Sequence, residues 1–168
     1  MSILPFLILY AKINFGLSFE LIGNFLLFRT IGMLLTGLIL FRFSKRFQYK
    51  NLLFFTLSLA GLLPVASLLL AGSPFLYQLL FIISGVFVAT YKVSINGVLL
   101  EITSNENRAT YTGISGAGNI LSMLFPLFAG VLISQVGYTA VFLTVTVITL
   151  YGYVFVRKLN CKPVIVVS

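Results

Sequence analysis

Long apolar runs, separated by short polar breaks, organise this chain. Residues 21–41, 52–71, 75–100, 111–134 and 139–156 are each mainly apolar. A helix crossing a bilayer needs roughly 17–25 such residues, at a rise of about 1.5 Å each. The breaks are as telling as the runs. The first run ends at Arg42-Phe43-Ser44-Lys45-Arg46-Phe47-Gln48-Tyr49-Lys50, the second at Gly72-Ser73-Pro74 and the third at Glu101. A polar loop from Glu101 to Arg108 precedes the fourth, and Gly137 separates the fourth from the fifth. None of the runs alternates with period two, so strands are excluded. The pattern predicts an all-α membrane protein: a bundle of five full transmembrane helices plus a short N-terminal helix stub.

The stub is apolar only over residues 3–11, roughly 13 Å of helix against a hydrocarbon core of about 30 Å. A signal peptide is disfavoured, because no basic region precedes the stretch and no clear cleavage site follows it. An interfacial helix is a second reading. The preferred one places residues 3–19 at the outer end of a partial crossing that begins upstream, which makes the chain a fragment or a truncation.

Composition agrees with lipid as the solvent. Of 168 residues, 60% are hydrophobic and 8% are charged, and mean hydropathy is +1.11. A soluble domain carries about 25% charged residues and exposes a large surface that such a chain cannot cover. A single Cys (Cys161) and no His remove a disulfide framework, a His/Cys metal site and His-based catalysis from consideration. The expectation is no metal, no cofactor and no enzyme constellation, since no Ser has a base in view.

The net charge of +8 arises from eleven Lys/Arg against three acids, Glu20, Glu101 and Glu106. Its distribution argues against nucleic acid. With alternating crossings, one side of the membrane receives Arg42, Lys45, Arg46, Lys50, Arg108, Arg157, Lys158 and Lys162. The other receives Lys12, and Arg29 and Lys92 fall inside crossings. The basic loops and the C-terminus are therefore expected in the cytoplasm of a multi-pass protein of the cell membrane.

Polar residues recur on single helix faces. Arg29, Gly32 and Thr36 share a stripe in residues 21–41. Gln78, Gly85, Ala89, Lys92 and Asn96 share one in residues 75–100. Thr112, Ser115, Asn119, Pro126 and Gly130 share one in residues 111–134. Residues 52–71 and 139–156 carry hydroxyls, glycines and Pro64 but no charge, and read as the lipid-facing members. Polar side chains in lipid normally face a bundle interior or an aqueous cavity. Arg29 lies about eight residues, or ~12 Å, into its crossing. It reads either as a cavity-facing cation for an anionic group or as a structural pair with a carboxylate or carbonyl. Lys92 can face the cavity or extend its stem outward. Asn96 and Asn119 can contact substrate or bond neighbouring helices. Gly113 and Ala117, spaced as a small-xxx-small pair, favour close helix packing over ligand binding.

Six crossings with these loops resemble one half of a major facilitator superfamily (MFS) transporter, namely helices seven to twelve with helix seven truncated. Ser44-Lys45-Arg46-Phe47-Gln48-Tyr49-Lys50 stands where the family has G-x-x-x-D-R-x-G-R-K. Arg46 and Lys50 match, whereas Lys45 replaces the Asp, whose gating role is not carried over. Glu101 and Arg108 resemble the family's cytoplasmic Glu…Arg pair. Arg108-Ala109-Thr110-Tyr111 before a Gly-rich helix with Pro126 and Gly130 resembles helix eleven. The resemblance implies that Arg29, Lys92, Asn96 and Asn119 face a substrate cavity, and that Arg46, Glu101 and Arg108 form a cytoplasmic charge cluster. It implies part of a secondary active transporter moving a small solute by alternating access. Such a chain is incomplete alone and partnered by membrane lipid and by a missing N-terminal half or a second copy. Two cavity cations favour an anionic or zwitterionic solute. The alternative is a non-transporting truncated remnant, or a helix-packing partner of another membrane protein.

Overall fold

A computed structural model describes residues 4–16, 19–43, 48–104 and 106–158. Six helices run through them: α1 (Leu4–Phe15), α2 (Phe19–Arg42), α3 (Tyr49–Leu69), α4 (Pro74–Ile102), α5 (Arg108–Val136) and α6 (Tyr138–Arg157). Among the described residues there is no strand. Four segments, Leu21–Arg42, Tyr49–Leu69, Pro74–Ile102 and Tyr138–Arg157, are long and apolar enough to cross a membrane. Helix α5 is unbroken over 29 residues, with Met123–Val136 as a shorter apolar section. The fold is that of an all-α membrane protein.

Local chemistry sets the helix ends. Pro74 occupies the first turn of α4, where its missing N–H costs nothing and its fixed φ suits the helix. Gly137, at φ 87°, turns the chain from α5 into α6 while its N–H donates to the Ile133 carbonyl at 3.0 Å. That left-handed conformation suits a residue without Cβ. Helix α1 outruns its apolar stretch by one turn. It continues through Asn14, whose side-chain amide donates to the Tyr10 carbonyl at 3.0 Å, and stops before Gly16 at φ 58°.

Helix α4 is the centre of the bundle, with α2 and α3 packed along it and α6 against α3. The main core gathers Leu7, Phe25, Leu63, Tyr77, Leu80, Phe81, Val141 and Phe142. Phe25 and Phe81 stack with centroids 4.8 Å apart and planes at 13°. Since Phe25 and Phe81 both lie early in their helices, α2 and α4 run parallel.

Residues 52–71 and 139–156, expected to face lipid, turn part of their surface to each other. Hydroxyls form the seam. Thr146 Oγ1 donates to the Gly61 carbonyl at 3.5 Å, Tyr153 Oη to the Phe54 carbonyl at 3.3 Å, and Ser58 bonds Tyr153. Thr56 and Ser94 meet between α3 and α4 at 3.3 Å. Most of these hydroxyls also donate back along their own helix, as Thr56 does to the Leu52 carbonyl at 2.8 Å. In a solvent without water, that local bond satisfies the group. The outward sides keep Leu62, Leu69, Val147, Ile148 and Leu150 exposed, as lipid contact requires.

Two contacts join helix ends at one end of the bundle. Lys50 Nζ, at the start of α3, donates to the Arg157 carbonyl at the end of α6 at 3.3 Å. The Tyr49 ring lies against Gly97 near the end of α4. Among the five long helices, α5 touches the rest least. Ile114, Met123, Leu127, Phe128 and Val131 are exposed along it, while Ala129 is fully buried.

Candidate functional site

Helices α2 and α4 meet backbone to backbone. A Cβ on Gly85 would overlap the Arg29 carbonyl oxygen and stand 2.8 Å from the Met33 amide nitrogen. A Cβ on Gly32 would overlap the Ile82 carbonyl oxygen. Each glycine therefore lets the other helix's backbone sit where a side chain would be. This is the small-residue packing expected of membrane helices. It occurs here rather than at Gly113, around which no atom of another element comes within 4 Å.

Arg29 sits on the α2 side of this seam. It lies ten residues past Phe19, about 15 Å along a helix of 24 residues. That position is mid-depth, too far from either end for its stem to carry the guanidinium easily to the headgroups. Its side chain is half-buried. Among the described residues no hydrogen bond or ion pair engages it, so the structural-pair reading finds no partner there.

The polar stripe on α4 divides. Gly85 and Ala89 are buried, Gln78 is half-buried, and Lys92 and Asn96 are exposed. Lys92 lies seven residues beyond Gly85, about 10 Å towards the C-terminal end of α4, and Asn96 one turn further. The middle of the stripe thus serves packing, and its C-terminal part is open. Asn119 lies on α5, and its side chain is outside the described ones.

At the opposite end from Gly16, Glu101 occupies the last turn of α4 and Arg108 opens α5. Glu101 Oε2 is buried without a hydrogen-bond partner among the described residues. Such an orphaned oxygen costs about 1–3 kcal/mol, and more when charged. Arg108 is exposed. The structure brings this pair to one end of the bundle without a bond from Oε2 to Arg108. Arg46, the third member of the expected cluster, lies outside the described residues.

A further group escaped sequence reasoning. Tyr77 is fully buried, and its Oη donates to the Leu7 carbonyl at 2.9 Å, tying α1 to α4. Tyr10, Phe15, Phe25 and Phe81 surround its ring at centroid distances of 5.5–6.5 Å. Tyr138 and Phe142 of α6 close on Tyr10 at 5.3 and 5.5 Å. The aromatics are visible in the sequence, but their convergence from four helices carries no spacing signal.

Apolar helices long enough to cross a membrane, joined by glycine contacts, define a multi-pass membrane protein. Residues 1–162 match the family model described as Major Facilitator Superfamily, and the chain belongs to that family. Its members are membrane transporters of small molecules rather than enzymes. No curated protein and no solved structure matches the chain.

Proposed function

We propose that this chain forms one wall of a secondary active transporter that moves a small solute across the cell membrane by alternating access. The observation that carries the proposal is Arg29: a half-buried guanidinium at mid-depth with no partner among the described residues. Placing an arginine there costs about 2.5 kcal/mol or more, a cost offset when the group faces water or an anionic solute. Lys92, Asn96 and Asn119 line the same path in this reading. The solute is anionic or zwitterionic, because α2 and α4 carry no acidic residue between Glu20 at the start of α2 and Glu101 at the end of α4 to neutralise Arg29 and Lys92.

The second wall is a missing N-terminal half or a second copy, since a midplane site lies between two repeats. The unpartnered Glu101 Oε2 supports a cytoplasmic cluster with Arg46 and Arg108 that is completed when the walls meet. The basic ends of α2, α3 and α6 face the cytoplasm, as does the C-terminus.

Co-expression with six-helix N-terminal halves of the family, followed by uptake of radiolabelled organic anions, tests this. Uptake is expected in a paired strain, with Arg29→Ala lowering it at least tenfold. Uptake that is indifferent to Arg29→Ala refutes the role of Arg29, and absence of uptake with every half favours the non-transporting alternative.

A further inference from the structure

The paired ends of α3 and α6 carry chemistry that solute transport does not use. Lys50 Nζ reaches across to the Arg157 carbonyl at 3.3 Å. This fixes the first turn of α3 beside the last turn of α6, where Arg157 and Lys158 are exposed. The backbone carrying Arg157 and Lys158 thus lies at the same corner of the bundle as Lys50. The first turn of α3 adds to these cations. Its N-cap, Gln48, makes no side-chain capping bond, and no acidic residue lies in that turn. Among the described residues no side chain caps the leading backbone N–H groups, which with the positive end of the helix dipole favour an anion. Of the acids, Glu101 lies one turn beyond Gly97, against which the Tyr49 ring packs, and Glu106 lies in the loop after α4.

The surroundings are apolar. Phe55 on α3 and Tyr151, Val154 and Phe155 on α6 are exposed within two turns or so of the cationic corner. Tyr151 and Phe155 meet edge to face at 5.4 Å. The hydroxyl seam between α3 and α6 holds the two ends in fixed relation.

We propose that the Lys50/Arg157/Lys158 corner binds the phosphate of an anionic phospholipid, whose acyl chains lie along the outer faces of α3 and α6. Inorganic phosphate shares the headgroup chemistry, but the apolar strip leading from the corner fits a molecule with chains. This holds whether or not the chain transports a solute.

The full chain, purified in detergent and incorporated into vesicles of phosphatidylcholine with a minor fraction of phosphatidylglycerol, provides the test. Lipid retained after extraction is read by native mass spectrometry. Wild type is expected to retain phosphatidylglycerol over phosphatidylcholine. Each neutralised cation near an anionic lipid weakens binding about fivefold, so Arg157→Gln lowers retention by about that factor. Triple replacement of Lys50, Arg157 and Lys158 by Gln abolishes the preference. Arg42→Gln, which removes a cation from the end of α2, leaves it unchanged. Helix content by circular dichroism checks folding. The charge-keeping set Lys50→Arg, Arg157→Lys and Lys158→Arg is expected to retain the lipid. An equal loss on Arg42→Gln reduces the effect to general surface charge and overturns the proposal. So does complete displacement of the lipid by millimolar inorganic phosphate, or retention unaltered in the triple variant.

Discussion

Replacing Gly85 by Ala probes the α2–α4 joint on which Arg29 is mounted. The added methyl would overlap the Arg29 carbonyl oxygen and lie 2.8 Å from the Met33 nitrogen and 3.0 Å from the Arg29 carbonyl carbon. All three are backbone atoms, so no side chain can rotate away, and α2 must withdraw from α4. Forcing a methylene into a well-packed core costs about 1–3 kcal/mol. Rigid backbone on the receiving side puts Gly85→Ala near the upper end. Gly113→Ala on α5 supplies the control, since its new methyl meets nothing within 4 Å. There, removing a helical glycine is expected to be neutral or to stabilise by roughly 0.5–1 kcal/mol. Equilibrium unfolding of the chain alone in mixed micelles, titrated with denaturing detergent and read by circular dichroism, gives both numbers. A fall of about 2–3 kcal/mol for Gly85→Ala beside an unchanged Gly113→Ala is the predicted pattern. Equal stabilities, or a larger loss at Gly113, would refute the backbone contact and with it the placement of Arg29.

Tyr77→Phe keeps the aromatic cluster but removes the hydroxyl that bonds the Leu7 carbonyl. A loss of about 0.5–1.5 kcal/mol is expected, with faster hydrogen exchange confined to α1. Thr56→Val and Ser94→Ala should couple by about 0.6 kcal/mol in a double-mutant cycle, the usual size for hydroxyl bonds between membrane helices. Zero coupling would mean that their 3.3 Å contact does not bind α3 to α4. Glu101→Gln removes the charge from a carboxylate with an orphaned buried oxygen, so the isolated chain is expected to be at least as stable as wild type. In a paired transporter the same change should lower uptake, and reduced stability of the isolated chain would show that Glu101 already has a partner.

Much of the architecture was legible because length and apolarity fix a membrane helix almost by themselves. A run of 20 apolar residues has few alternatives in lipid, and proline and glycine mark its ends plainly, as at Pro74 and Gly137. The site was harder to read. Gly32, Gly85 and Ala89 fall on stripes with Arg29 and Lys92, and spacing alone does not distinguish a packing surface from a polar one. The structure separates them: the glycines join α2 to α4, and Lys92 and Asn96 stay exposed. Gly113 and Ala117 show the converse, a packing pattern with Gly113 unapproached and Ala117 exposed within the chain. The hydroxyl seam of α3 and α6 was hidden because Ser, Thr and Tyr carry no charge and satisfy themselves locally when unpaired. Loop identity was legible for Glu101 and Arg108, which belong to helix ends. Arg46 lies outside the described residues.

The central claim is that the polar face containing Arg29, Lys92 and Asn96 borders an aqueous path while the outer faces of α3 and α6 border lipid. Single cysteines at these three positions and at Leu62 and Leu150, in a Cys161→Ser background, test it in membranes with a small charged thiol reagent. Labelling at 29, 92 and 96 with none at 62 and 150 is the predicted result; an unreactive position 29, or equal labelling on the outer faces, would contradict it.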